Sequence, residues 1–299
     1  MKPGFILVDI KDLPVEPGWL FRQAGPVIAI GPDVSTSVAA NADVILPDQE
    51  AAASLIENIE QFPVAALVLV QVLRATEGMD IHSGLKVESL AYSMLQTSLE
   101  YQRWLRARKD PPQHIVGNDQ AILIEREGDI VRATLNRPEN RNSLTVEMRD
   151  ALIELFQLVD IDDSISRLEL RGAGSCFCVG GELREFGLSN DASQAHSIRS
   201  SHNPSALMAA ISQRTHCFLH SACLGSGIEL PAFAGKLTAT RKAFFQLPEL
   251  SFGLIPGAGG CISIARRIGR HRTSWMVLSG KKINAETALE WGLVDEIVE

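Results

Sequence analysis

Apolar positions recur along this chain at two different spacings, and the change between them divides it. Short β-rich runs occupy residues 5–9, 27–30 and 44–46, and a helix is predicted from Asp48, a candidate N-cap, through Ile59. Residues 85–108 read as one long amphipathic helix, since Val87, Leu90, Ala91, Met94, Leu95, Leu99 and Leu105 recur at spacings of three and four or their multiples. Pro111-Pro112, after the charged run 106–110, is the best internal break, because consecutive prolines stop a helix and favour an extended linker. Residues 1–112 are therefore expected to form a small α/β extension, and residues 113–299 a second domain.

Beyond the prolines the pattern alternates more regularly. Residues 121–125 and 130–135 read as two strands joined by the turn Glu127-Gly128-Asp129. Asn142 to Thr145 opens a helix with Met148, Leu152, Leu155, Phe156 and Val159 on one face, and a strand at 167–171 runs into the glycine-containing stretch 172–181. Repetition of strand, turn and helix indicates α/β layers.

Composition narrows the class without naming a chemistry. Of 299 residues, 45% are hydrophobic and 21% charged, values of an ordinary globular chain and not of a disordered one. The formal net charge of −8 argues against a general nucleic-acid binder, although it allows an anionic ligand in a local pocket. The five cysteines form no C-x-x-C pair, which fits reduced thiols in the cytoplasm better than a disulfide framework. The longest apolar stretch, around residues 63–73, is too short and interrupted for a membrane span, and the first residues make a poor signal peptide.

Three glycine-bearing turns, each before a predicted helix, are the chemical candidates: FCVGGEL at 177–183, LGSGIEL at 224–230 and PGAGG at 256–260. Small residues let backbone approach a ligand, and two N–H groups converging on one carbonyl oxygen would make an oxyanion hole. Tight packing is the competing explanation, and spacing alone does not separate the two. No Walker-type loop, no complete G-x-G-x-x-G and no G-x-S-x-G elbow occurs. His216 and His220 lack the glutamate of a zinc-protease helix, so no metal site is expected there. Glu229 and Glu249 follow the second turn and precede the third. If both face one pocket they could hold a water and divide acid and base work; singly, each would be an ordinary helix-terminus carboxylate.

These segments resemble the enoyl-CoA hydratase/isomerase (crotonase) superfamily. The resemblance rests on LNRP at 135–138 with Asn142, on FCVGGEL and LGSGIEL, on QLPE at 246–249 with GLIPGAGG at 253–260, and on ALEWGLVD at 288–295, in the family's order. It runs from about Ala121 to Glu299. It implies an α/β fold, a crotonase-like spiral of ββα turns, preceded here by the N-terminal extension and lacking the helices with which the family usually closes. It implies an acyl-CoA thioester as substrate, no cofactor other than the CoA that the substrate carries, and a homo-oligomer.

By the same resemblance the oxyanion hole falls on the N–H groups of Gly181 and Ser226, where serine stands in place of the usual central glycine. Glu229 and Glu249 fall on the two acids that hold a water in the hydratases: the first deprotonates it and the second exchanges a proton with the α-carbon. Substrate contacts would come from Cys178, Gly180 and Gly257, with Arg184 and Arg141 for the CoA phosphates, unless those arginines are simply solvated. Retention of both acids favours hydration of a 2-enoyl-CoA. Isomerisation, thioester hydrolysis or a non-catalytic CoA-binding role are the alternatives. The helix predicted at 85–108 is expected either to dock on the second domain or to pack within its own.

Overall fold

A computed structural model describes residues 4–32, 36–108, 119–188 and 191–299. The Pro111-Pro112 break lies outside the described residues. Strands β1 (Ile6–Asp9), β2 (Val27–Ile30) and β3 (Val44–Leu46) form a parallel sheet, as their apolar runs predict. Helix α1 (Thr36–Ala39) is a single turn; α2 (Gln49–Gln61) is capped by the Asp48 carboxylate, which accepts the Ala51 N–H. The apolar stretch read only as too short for a membrane is helix α3 (Pro63–Thr76), apolar nearly all round because most of it is buried. Among the described residues no single helix is long and apolar enough to cross a membrane.

The long helix predicted at 85–108 is two helices. α4 (Ile81–Gln96) stops at Thr97, and the Ser98 hydroxyl accepts the Tyr101 N–H to start α5 (Leu99–Ala107). Nor does the apolar stripe enter the core as a unit. Leu90, Met94 and Leu99 are exposed, whereas the polar residues Glu88, Ser89 and Ser93 are buried. The three-and-four spacing did not mark the buried face here.

The second part begins with the hairpin β4 (Ile122–Glu127) and β5 (Ile130–Leu135), followed by helix α6 (Val146–Ile161) and strand β6 (Arg167–Gly172), parallel to β5. Helices α7 (Ala192–Ser201) and α8 (Pro204–Ala210) precede β7 (Thr215–Leu219). Then β8 (Ala222–Leu224), the four-residue helix α9 (Ser226–Glu229), β9 (Lys236–Thr240) and β10 (Phe244–Gln246) follow. Helix α10 (Gly260–Ser279) is broken at Gly269, and β11 (Ile283–Asn284), α11 (Ala285–Trp291) and β12 (Glu296–Val298) complete the order.

From β7 to β10 successive strands alternate between two sheets. β7 pairs with β9 in a six-stranded sheet ordered β12-β9-β7-β6-β5-β4, while β8 pairs with β10 in a smaller one ordered β11-β10-β8. This winding produces the spiral and brings the turns after β6, β8 and β10 to one side.

The N-terminal elements share a hydrophobic core with the rest, with Leu55, Leu69 and Leu73 in the same buried cluster as Phe233, Ile262 and Met276. A buried charge cluster also ties them. Asp43 is fully buried, pairs with Arg74 and, at 3.1 Å, with Arg270 of α10, and accepts the Val27 N–H. Asn58 donates to the carbonyls of Leu278 and Ser279 at the end of α10. Docking of the N-terminal helices on the second part, one of the two outcomes expected for residues 85–108, is what the chain adopts.

Candidate active site

The turns after β6 and β8 lie against each other. Gly180 has φ +95°, and a Cβ there would lie 2.8 Å from the Leu224 carbonyl oxygen. The turn that presents Gly180 and Gly181 is held from below by Asn142, whose amide donates to the carbonyls of Ala173, Cys176 and Phe177. Leu144 donates to the Gly180 carbonyl and accepts the Glu182 N–H, which leaves the Gly181 N–H between them without a partner among the described residues. Ser226 is the first residue of α9, so its N–H has no acceptor within the helix.

Both N–H groups border one cavity of about 720 Å³, which Glu229, Glu249, Gly257, Arg141 and Arg184 also line. The helix-dipole contribution expected at both hole positions is smaller than the motifs imply. α9 has four residues, and Gly181 precedes only the 3₁₀ turn Leu183–Glu185, already capped by the Glu182 carboxylate.

Glu229 is buried on α9, where one carboxylate oxygen accepts the N–H groups of Ala258 (2.8 Å) and Gly260 (3.0 Å). Burial raises its pKa to about 7, against the opposing effect of those N–H donors. Glu249 begins the 3₁₀ turn Glu249–Phe252. One of its oxygens lies beside Gly225, where a Cβ would come within 2.6 Å, and the other is buried with no hydrogen bond. Burial first, and then the nearby Glu229, push the Glu249 pKa well above the ordinary value. Two carboxylates that burial makes readier to hold a proton therefore stand beside two N–H groups unpaired among the described residues, an arrangement suited to proton transfer next to a developing enolate oxygen.

Arg184 and Arg141 are at the cavity rim but differ in state. Arg184 is engaged by Glu182 at 2.6 Å and reaches Asn140 at 3.3 Å. Although burial acts upward on Glu182, hydrogen bonds from Arg184 and Ser143 hold its pKa at about 2. Arg141 is exposed, with left-handed backbone (φ 53°). Cys178 stands apart from the other candidates. It is buried behind the turn, lines a separate small apolar recess, and its carbonyl oxygen would lie 2.3 Å from a Cβ at Gly227. Of the candidate substrate contacts, Gly180, Gly257, Arg184 and Arg141 reach the cavity and Cys178 does not. His216 is hydrogen-bonded to Thr238, and no cluster of three or more metal-ligating side chains occurs among the described residues.

Three further residues of this region were not anticipated. Glu88 of α4 accepts the N–H groups of Gly259 (2.7 Å) and Cys261 (2.8 Å), while Tyr92, one turn along, lines the cavity and packs on Gly257, where a Cβ would come within 2.3 Å of the ring. Arg199 of α7 lines the cavity and lies over the Tyr92 ring at 4.6 Å. Burial, followed by the nearby Glu229, raises the Glu88 pKa to about 8. The available signal was a second polar face: Glu88, Ser89, Tyr92 and Ser93 recur at spacings of one, three and four on one side of the helix.

Comparison with known proteins identifies relatives of the second part of the chain. The sequence pattern of the family described as Enoyl-CoA hydratase/isomerase matches residues 125–299. The chain is 32% identical over 182 residues to a 1,2-epoxyphenylacetyl-CoA isomerase of Escherichia coli K12, covering 60% of this chain and 70% of that protein. It is 31% identical over 178 residues to a 2,3-dehydroadipyl-CoA hydratase of the same organism, covering 59% and 68%. A crystal structure of an enoyl-CoA hydratase from Thermoplasma volcanium GSS1 superposes with a TM-score of 0.52 at 32% identity, over 60% of this chain and 72% of that one. With the pattern matched over more than half of its length, the chain belongs to the enoyl-CoA hydratase/isomerase family.

Proposed function

We propose that this protein is an acyl-CoA hydro-lyase that adds water reversibly to a 2-enoyl-CoA. The supporting observation is that Glu229 and Glu249, both raised in pKa by burial, line one cavity with the unpaired N–H groups of Gly181 and Ser226. The thioester carbonyl oxygen would accept from those two N–H groups. Ionised Glu229 takes a proton from water as its oxygen bonds to the β-carbon, and the π electrons move onto the carbonyl oxygen. The enolate then collapses as protonated Glu249 delivers its proton to the α-carbon, so that one water is added in sum. A hole donor of this type contributes about 10²–10³ in rate. Arg141 and Arg184 would meet the CoA phosphates, and no cofactor besides the substrate's CoA takes part.

Loss of enone absorbance across a panel of 2-enoyl-CoAs tests this reading. Glu229→Gln and Glu249→Gln should each lower the rate by about 10²–10⁴ while leaving circular dichroism unchanged. Absence of hydration with every chain type, given demonstrated acyl-CoA binding, overturns it. Isomerisation is the second reading. It is raised by Ser226, which stands where the family usually has glycine and whose side-chain oxygen is buried with no hydrogen bond among the described residues. Product mass separates the two, because isomerisation adds no water.

A further inference from the structure

The acyl end of the cavity carries a cation that the hydration chemistry does not use. Arg199 is fixed by three neutral acceptors from α4: Ser89 at 3.4 Å, Ser93, and Gln96 at 3.0 Å. Its guanidinium lies over the Tyr92 ring, and it makes no ion pair among the described residues. The nearest carboxylate influence is Glu88, which spends both oxygens on the backbone of Gly259 and Cys261. One guanidinium nitrogen, Nη1, thus keeps its N–H groups unassigned, and the Tyr92 hydroxyl likewise makes no hydrogen bond among the described residues. Partial burial of an arginine that no carboxylate contacts directly among the described residues is costly, and a ligand that supplies the counter-charge lowers that cost.

Its position separates this group from the CoA end. Arg184 shares the rim with Asn140, whereas Arg199 and Tyr92 belong to the α4–α7 wall, where Tyr92 packs on Gly257 next to the loop that Glu229 holds. With the thioester at Gly181 and Ser226 and the double bond at the acid pair, the remaining acyl chain has this wall in front of it. We propose that Arg199 and Tyr92 form a subsite for a carboxylate at the far end of the acyl chain. The substrate would then be the 2-enoyl-CoA of a short dicarboxylic acid. This rests on the acyl-CoA reading above, which names no acyl group. A guanidinium suits the task, since two of its N–H groups can meet one carboxylate.

The test compares calorimetric binding of glutaryl-CoA and butyryl-CoA, which lack the reactive double bond, and turnover of a carboxylated 2-enoyl-CoA and 2-butenoyl-CoA. The protein is used as wild type, Arg199→Met, Arg199→Lys and Tyr92→Phe. The wild type should favour the carboxylated member of each pair by about 10- to 100-fold. Arg199→Met should remove that preference with little effect on butyryl-CoA, and Arg199→Lys should keep part of it. Equal affinities for the two ligands in the wild type overturn the subsite. An equal loss for both in Arg199→Met also overturns it, since the arginine would then serve the CoA phosphates. A binding preference that Arg199→Met removes, without hydration of either enoyl-CoA, supports the subsite and refutes the hydratase reading instead.

Discussion

Glu88 and Glu229 hold alternate amides of a single loop from two sides. Glu229 accepts the N–H groups of Ala258 and Gly260, and Glu88, from the N-terminal part of the chain, accepts those of Gly259 and Cys261. A loop gripped in this way cannot shift without breaking charge-assisted hydrogen bonds in a dry environment. The N-terminal helices therefore act on the catalytic region through a carboxylate that does not itself line the cavity, and Glu88 is a positioning residue.

Replacing Glu88 with Gln puts an NH₂ group against a backbone N–H of the loop that Glu229 also holds. The rate should fall by about 10-fold or more, as expected for a positioned site loosened by a fraction of an ångström. The loss should fall on kcat more than on KM, while the acid limb of the kcat/KM profile, set by Glu229 near pH 7, stays in place because burial and backbone donors fix that group. A rise in KM with kcat unchanged would mean that Glu88 does not position the acid.

Stability should respond to pH in a direction that follows from the same pair. Folding raises the pKa of Glu88 and Glu229 from 4.5 to about 8 and about 7, so the native state binds more protons than the unfolded state between those limits. Their contribution is full below pH 4.5 and is lost as pH rises through about 7 to 8. His216 and His271, whose pKa values are lowered by burial from 6.5, act oppositely, in the lower part of the range. Tm should therefore fall from pH 7 to 8 more steeply in the wild type than in Glu88→Gln. Parallel curves would contradict this.

Gly225→Ala should damage the site more than the fold. The backbone at Gly225 has φ 49° and ψ −125°, a region closed to side chains, and the added Cβ would meet the Glu249 carboxylate at 2.6 Å. A stability loss of about 1–3 kcal/mol is expected from the backbone alone. Displacement of Glu249 should add a fall in kcat larger than the change in KM. Steady-state kinetics on the folded variant decide between an effect on chemistry and an effect on binding.

Asp43→Ala should loosen the attachment of the N-terminal sheet. It strands the buried Arg74 and Arg270 without their shared carboxylate, at a cost of about 3–5 kcal/mol. Thermal unfolding should show a large drop in Tm or a separate early transition. An unchanged single transition would show that the shared hydrophobic core alone carries the joint.

The chemically informative part of the site was legible because it is local. Glycine turns, the residue after them and an acid one helical turn later are close in sequence, so FCVGGEL and LGSGIEL could be read directly. Cys178 sits in the same motif yet faces away from the cavity, since neighbouring residues of a strand-like segment point to opposite sides. The break at Thr97-Ser98 was missed because a serine cap inside an amphipathic pattern looks like any other polar position.

Taken alone, the sequence marked many of the strands and turns and, through the family resemblance, singled out Gly181, Ser226, Glu229 and Glu249 as candidates, all carried by short segments with fixed spacing. It could not determine what faces them. That Glu88 lies within reach of residues 259–261, that Tyr92 fills the space beside Gly257, and that Arg199 rests on Tyr92 are contacts across 107 to 173 positions of chain. Such contacts depend on how α4 packs against α7 and α10, and packing is decided by the whole buried surface rather than by any local pattern. The tertiary structure thus turned a preface of unassigned purpose into one wall of the cavity.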